Sequence, residues 1–379
     1  MDTIKFTNLT WAIAEAGKHE TAFKQNADIT LINHDGVVAL HKKNFSLEGF
    51  DLVVIDESTA FKHPNTLRST AIRKMIRPVQ KRILMSGTPA PNGVMDLWHQ
   101  YFLLDEGASL GPKYFATRNI LCTPTSFGNF TKWQDRPEAM ATAASLVADK
   151  TLRHKFEDVL EIPENHQYTT TFALSRQVIT HYNILKHAMA IQLKDKVITA
   201  TNAASHLSKL LQVASGAIYD ENGIAHLVHD ERYALTTELI KQREQCVVAF
   251  NWKHQRDRMC KHLDAEGISF SVIDGEATAE ERHETVQAFQ KQQIKVILAH
   301  PASAAHGLTL TAGTTTIWCS PTYNSEHFLQ FNRRIYRAGQ TQKTETILLA
   351  AEDTVDLDAY SKLQGKLSAM DLLLGVLNQ

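Results

Sequence analysis

Three stretches of the chain carry residue types that can act on a phosphate ester. The first is Asp56-Glu57-Ser58-Thr59, placed directly after the apolar run Leu52–Ile55. A carboxylate pair at the carboxyl end of a parallel strand lies where open α/β sheets bind ligands. There the first carboxylate can hold Mg²⁺ and the second can polarise a water that attacks a γ-phosphate. The same residue types also suit a plain strand-end turn. The second stretch is Ser86-Gly87-Thr88-Pro89-Ala90-Pro91-Asn92, after the run Arg82–Met85. It sets two hydroxyls on a tight backbone beside the acidic pair. The third is Gln330–Gln340, in which Arg334 and Arg337 are three apart and would share one face of a helix. Two guanidiniums on one face suit triphosphate oxygens, because each is a planar fork of donors that stays charged. On its own, such a face could equally be solvated surface.

These groups need a scaffold, and short β-branched runs supply one. They are Asp28–Asn33, Leu52–Ile55, Arg82–Met85, Val247–Phe250, Phe270–Ile273, Lys295–Ala299, Thr315–Cys319 and Glu345–Leu349. They are continuous rather than alternating, which predicts strands covered by helices on both faces. Two groups emerge, at 28–85 and 247–349, separated by helical spacing in which Leu207, Leu210, Leu211 and Ala214 share a face, and Ile179, Tyr182, Asn183 and Lys186 do so more loosely. The turn-rich Tyr219–Gly223 marks a second boundary. The expected organisation is α/β: a first lobe with parallel strands over 1–165, incomplete because only three good strands are visible, a helical region over 166–228, and a second lobe over 229–379.

Composition narrows the setting. With 379 residues, 43% hydrophobic and 21% charged, the chain is long and apolar enough to fold without staples. Its four cysteines lie far apart with no CxxC pair, which fits reduced thiols and a cytoplasmic setting. No apolar run reaches the roughly 18 residues of a membrane span, so no membrane partner is expected. The formal net charge is −1, so any nucleic-acid surface must be local. One candidate is the interval from Phe61 to Met95, which holds Lys62, Arg68, Arg73, Lys74, Arg77, Lys81 and Arg82 with no Asp or Glu. Such a stretch can track phosphates, and it can equally be a solubilising helix. No HExxH or Cys/His ligand spacing occurs, and His300 and His306 read as loop residues rather than metal ligands.

Taken in order, these stretches resemble the superfamily-2 helicases and translocases, in particular the Swi/Snf-type branch and its short bacteriophage versions. Asp56-Glu57-Ser58-Thr59 resembles the family's motif II and Ser86-Gly87-Thr88-Pro89 its motif III. Val247–Asp257 resembles motif IV, His300–Leu310 motif V and Gln330–Gln340 motif VI, with Gly275 and Glu280-Glu281-Arg282 similar to the stretch between IV and V. Thr354–Leu374 is similar to the helix that closes the second lobe. The resemblance implies two RecA-like lobes around one ATP, with hydrolysis driving movement on duplex DNA rather than on single strands. It implies that Asp56 coordinates Mg²⁺, that Glu57 is the general base, and that Arg334 and Arg337 are arginine fingers. Gln330 and Gly307 would line the nucleotide, while Ser86, Thr88, Lys253 and Thr309 would couple it to nucleic acid. Motif V departs from the commoner pattern at Ala305 and Thr309. For a viral protein, the setting would be the host cytoplasm.

One family part has no counterpart. The phosphate-binding loop GxxxxGKS/T occurs nowhere in the chain. The nearest stretch, Ala12–His19, has Gly17-Lys18 but puts His19 where the hydroxyl belongs, and its Ala/Glu-rich run reads as a helix closed by Gly17 with no strand before it. The expectation is that a separate polypeptide supplies this loop, that the chain starts after it, or that the protein is a catalytically silent nucleic-acid-binding or regulatory relative.

Overall fold

A computed structural model of the chain describes residues 8–127, 130–154, 161–195, 200–304 and 307–376. The fold is α/β with parallel sheets, divided into two compact units. One comprises residues 1–123, 134–152 and 370–379; the other comprises 124–133 and 153–369.

In the first unit, β1 (Trp11–Ala14) pairs in parallel with β2 (Ile29–Ile32), and β3 (Leu52–Ile55) pairs in parallel with β4 (Lys81–Leu84). Two further strands, β5 (Cys122–Phe127) and β6 (Phe130–Asp135), pair with each other, and most of both belongs to the other unit. Side-chain caps begin the helices that cross between strands. Asn33 accepts from Gly36 N at 2.7 Å to start His34–Lys42, and Thr66 accepts from Ser69 N at 3.1 Å to start Leu67–Met75. Val37, Leu40, Ile55, Phe61, Ile72, Met75 and Leu103 form the core under one face of β3 and β4.

The opposite face of this pair, and one face of the separate two-stranded sheet of β1 and β2, are different. Trp11, Ile13, Leu31, Leu52, Val54, Ile83 and Met85 alternate with the buried residues, and each is between 36% and 50% exposed. The expectation of cover on both faces fails for these strands. Continuous apolar composition says that a strand needs two covered faces, not that both covers are present. Ala12–His19 is also corrected: Trp11–Ala14 is a strand, Gly17 turns with φ 81°, and a five-residue helix, His19–Phe23, follows. Parallel pairing with β2 outweighs the helix propensity of the alanines.

The second unit is built on one six-stranded sheet. Its strands are β7 (Asn165–Phe172), β10 (Cys246–Ala249), β11 (Phe270–Ile273), β12 (Val296–Ala299), β13 (Thr315–Trp318) and β14 (Thr344–Ala351). They lie parallel in the order β11-β12-β10-β13-β14-β7. Every residue of β10, β12 and β13 is buried. The region expected to be helical therefore opens with an edge strand of this sheet and continues with helices Arg176–Asp195 and Ala200–Ala214. Tyr182, Leu210, Leu211 and Ala214 pack there as one cluster, whereas Asn183 and Lys186 are exposed. The turn at 220–223 is no boundary: it joins the short antiparallel strands β8 (Ala217–Tyr219) and β9 (Ala225–Leu227).

A buried guanidinium ties this unit together. Arg232, fully buried, donates to the carbonyls of Ala214 at 2.9 Å, Cys319 at 2.6 Å and Leu349 at 3.2 Å. It also pairs with the buried carboxylate of Asp356, which starts the helix Asp356–Val376. All four cysteines are free thiols, three of them buried. No described helix is long and apolar enough to cross a membrane.

Candidate functional site

In the first unit the acidic pair and the Ser-Gly-Thr-Pro turn sit on neighbouring strand ends. β3 and β4 are in register, and the ladder continues past both, with Met85 N donating to Ile55 O at 2.8 Å and Ser58 N to Met85 O at 2.9 Å. Asp56 is exposed, and one of its oxygens accepts from Glu57 N at 2.9 Å. Glu57 itself adopts a left-handed backbone, φ 46° and ψ 51°, and begins the one-turn helix Ser58–Phe61. An exposed carboxylate suits Mg²⁺, which is commonly held by one or two carboxylates plus substrate phosphates. Among the described residues, no three His, Cys, Asp or Glu side chains gather as a closed metal cage.

Two residues beyond those read from the sequence hold this corner. Gln100, buried on the helix Asp96–Asp105, accepts from Ser58 Oγ at 2.7 Å and donates to Pro89 O at 2.7 Å. It thereby links the acidic segment to the loop after β4. His34 donates from Nε2 to Asp56 O at 3.1 Å, and burial pushes its pKa down, so the neutral ring suits that role. The local signal for His34 was its place just after β2; Gln100 had none, since it lies mid-helix. Within the loop, Ser86 Oγ accepts from Thr88 N at 3.1 Å, while Thr88 Oγ1 is buried with no hydrogen-bond partner among the described residues. Asn92 caps Asp96 with two bonds, and burial raises that carboxyl's pKa.

The basic interval after the acidic pair is not an even track. Arg68 pairs with Asp35 at 2.6 Å. Arg82 is spent internally on the carbonyls of Val79 and Leu103, at 3.0 Å each, and on Glu106 at 3.2 Å.

In the second unit the two arginines are brought together, but not by a helix. The helix Ser325–Asn332 ends before them, and Arg334 and Arg337 lie in the turns that follow. Their side chains converge on one acceptor: Leu308 O receives Arg337 Nη1 at 2.9 Å and Arg334 Nη1 at 3.3 Å. Arg334 Nε donates to Gln330 O at 2.8 Å, and Leu310 N donates to Arg334 O at 2.9 Å. The loop of Gly307 (φ 71°), Leu308 and Thr309 is thus stitched to the arginine turn. Ala305 and His306 lie outside the described residues, and His300 follows β12 with its ring against Phe250. Lys253 opens the helix Lys253–Ala265 and meets Glu276 at 2.7 Å, an exposed pair that adds no net charge there.

Comparison with known proteins gives the family. The SNF2-related domain matches residues 5–216 and the Helicase conserved C-terminal domain matches 231–339. "Putative protein p41" of Acyrthosiphon pisum secondary endosymbiont phage 1 is 27% identical over 92% of this chain and 77% of its own length. The SWI/SNF-related matrix-associated actin-dependent regulator of chromatin subfamily A-like protein 1 of Drosophila melanogaster is 22% identical over 89% of this chain. This chain spans only 43% of that relative's length. Among solved structures, the Sulfolobus solfataricus SWI2/SNF2 ATPase core in complex with dsDNA is 19% identical, covering 97% of this chain and 78% of its own, with a TM-score of 0.45. With an SNF2-related domain over more than half of its length and a helicase C-terminal domain after it, the chain belongs to the Swi/Snf-type branch of the superfamily-2 helicases.

Proposed function

We propose that the chain is an ATP-dependent DNA translocase, or the larger part of one, which hydrolyses ATP between its two RecA-like lobes when DNA is bound. The observation that carries this reading is the buried link Ser58–Gln100–Pro89, which joins the acidic pair to the loop of Ser86 and Thr88. A change at the acidic end has a direct path to that loop, as coupling of hydrolysis to DNA movement requires.

In this proposal Asp56 holds Mg²⁺, which supplies charge neutralisation of the phosphates when bound. Glu57 takes a proton from the attacking water. Arg334 and Arg337, already paired through Leu308 O, reach the same nucleotide from the other unit and stabilise the charge that builds on the γ-phosphate. An arginine finger is worth about 10³–10⁵ in rate in such enzymes. Thr88, with its unsatisfied buried hydroxyl, is the group whose partner would change as the loop moves. The relatives named for chromatin regulation favour duplex DNA as the track.

The phosphate loop is proposed to come from a segment outside these 379 residues. A strand and helix bearing GxxxxGKS/T would add to the first unit, whose exposed row Leu52, Val54, Ile83 and Met85 is a ready apolar floor. Mixing the chain with a neighbouring P-loop polypeptide should give ATP turnover stimulated by DNA, and Glu57→Gln should abolish it; normal turnover in that variant rules the mechanism out. The missing loop also favours a second reading, a silent nucleic-acid-binding or regulatory protein. Hydrolysis of Mg-ATP by the chain alone, lost in Arg337→Ala, would sink that reading.

A further inference from the structure

The basic interval after the acidic pair divides into spent and unspent charges. Arg68 and Arg82 are held by Asp35 and Glu106. Arg73, Lys74 and Arg77 are exposed, and among the described residues none of the three has a carboxylate partner. These three line a cavity of about 280 Å³ together with Arg82, Phe102 and Glu106.

The cavity lies at the far end of the strands from the proposed chemistry. Asp56 and Ser86 follow the carboxyl ends of β3 and β4. The helix Leu67–Met75 returns the chain to their amino ends, where Arg82 begins its contacts. A four-residue strand separates the two ends by about 10 Å. Arg82 forms the built floor. Its side chain is 8% exposed, and it takes up the carbonyls of Arg77 and Val79, in the turn after the helix Leu67–Met75, and of Leu103, in the last turn of the helix Asp96–Asp105. Those carbonyls are thereby satisfied by Arg82, and the charge of Arg73, Lys74 and Arg77 remains for a ligand.

The wall is partly aromatic. Phe102 is half-buried and stacked on Trp98 at 5.1 Å between ring centres, which fixes it as a rigid face. Two arginine forks and a lysine beside an apolar face match the fixed phosphates of a nucleic-acid backbone, with a sugar edge against that wall, better than they match the mobile carboxylates of a flexible acidic peptide.

We infer that this cavity is a second contact for nucleic-acid phosphates, on the face of the first unit opposite its ATP-side strand ends. The inference rests on the nucleic-acid part of the proposed function. It gives the protein a hold on DNA that does not pass through the loop of Ser86 and Thr88, so one contact can persist while the other is remade.

The test is fluorescence anisotropy of a fluorescein-labelled DNA duplex titrated with the full chain across a salt series. Arg73→Glu/Arg77→Glu should weaken binding at least ~10-fold at low salt, and the slope of log Kd against log salt should fall by about two. The control reverses two other exposed charges of the same unit, Lys24→Glu/Lys113→Glu, and should change the slope by less than about one. Thermal melts should be unchanged in both, because among the described residues the side chains of Arg73 and Arg77 are exposed and make no hydrogen bond or ion pair. If the wild-type chain binds and the arginine variant matches it or its control, this inference is overturned while the proposed function stands. If poly-glutamate rather than DNA loses binding in the variant, the cavity serves an acidic protein and the inference is again overturned. If the wild-type chain binds no DNA, the nucleic-acid reading fails along with it.

Discussion

The two units are built from strands that look alike on paper and end in different environments. In the second unit β10, β12 and β13 are buried at every position, with Val248, Leu298 and Ile317 fully enclosed. In the first, β1 reads exposed-buried-exposed-buried, and β3 and β4 alternate likewise, leaving a row of large apolar side chains open. At about 25 cal/mol per Å² of apolar surface, one half-covered sheet forfeits several kcal/mol of available burial. The second unit holds its functional groups on a finished core, while the first displays its acidic pair on a sheet that still has surface to offer.

The strongest way to probe the finished core is its buried ion pair. Asp356→Ala leaves Arg232 charged and unpaired with no solvent to receive it, and the second unit should lose about 3–5 kcal/mol in denaturant unfolding. A loss below about 1 kcal/mol would mean that the carbonyls of Ala214, Cys319 and Leu349 suffice by themselves. Next comes a matched pair of leucines. Leu298→Ala should cost about 3 kcal/mol, whereas Leu52→Ala, already 43% exposed, should cost less than about 0.5 kcal/mol. Hydrogen exchange read separately on β12 and β3 distinguishes the two, and equal costs would erase the contrast between the units. Adding a P-loop-bearing partner should raise the cost of Leu52→Ala alone.

The smallest effect is set by pH. His254 lies buried between Ser215 Oγ at 3.0 Å and the Tyr219 hydroxyl at 3.2 Å, and burial pulls its pKa down to about 4. An unfolded histidine titrates near 6.5, so above that pH both states are neutral and nothing is lost. As pH falls from 6.5 toward 4 the unfolded chain takes the proton first, and the second unit should lose on the order of 2 kcal/mol. His254→Gln should flatten that acid limb in urea titrations; an unchanged limb would assign the acid sensitivity to other groups.

Much of this was legible in the residues. All eight strands read as continuous apolar runs fall within two residues of their places, and the acidic pair and the Ser-Gly-Thr-Pro turn do follow neighbouring strands. What escaped did so for definite reasons. β7, with the residues NHQYTTTF, has one neighbour and mostly exposed side chains, so it lacks the apolar signature of its partners. β1 is four residues long and rich in alanine, and only its register with β2 makes it a strand. The spacing of Arg334 and Arg337 suggested a helical face, yet the helix stops at Asn332 and the shared acceptor is a backbone carbonyl from a distant loop. Gln100 could not be read at all, because its importance comes from two loops that meet it only after folding.

The torsion angles of Glu57 add a separate clue. With φ 46° and ψ 51°, a residue bearing a Cβ sits about 1 kcal/mol or more above glycine. Stability by itself favours glycine or asparagine at this position. In the proposed mechanism Glu57 gives up that stability for the carboxylate that takes the proton from water, so Glu57→Gly should steady the first unit while removing turnover.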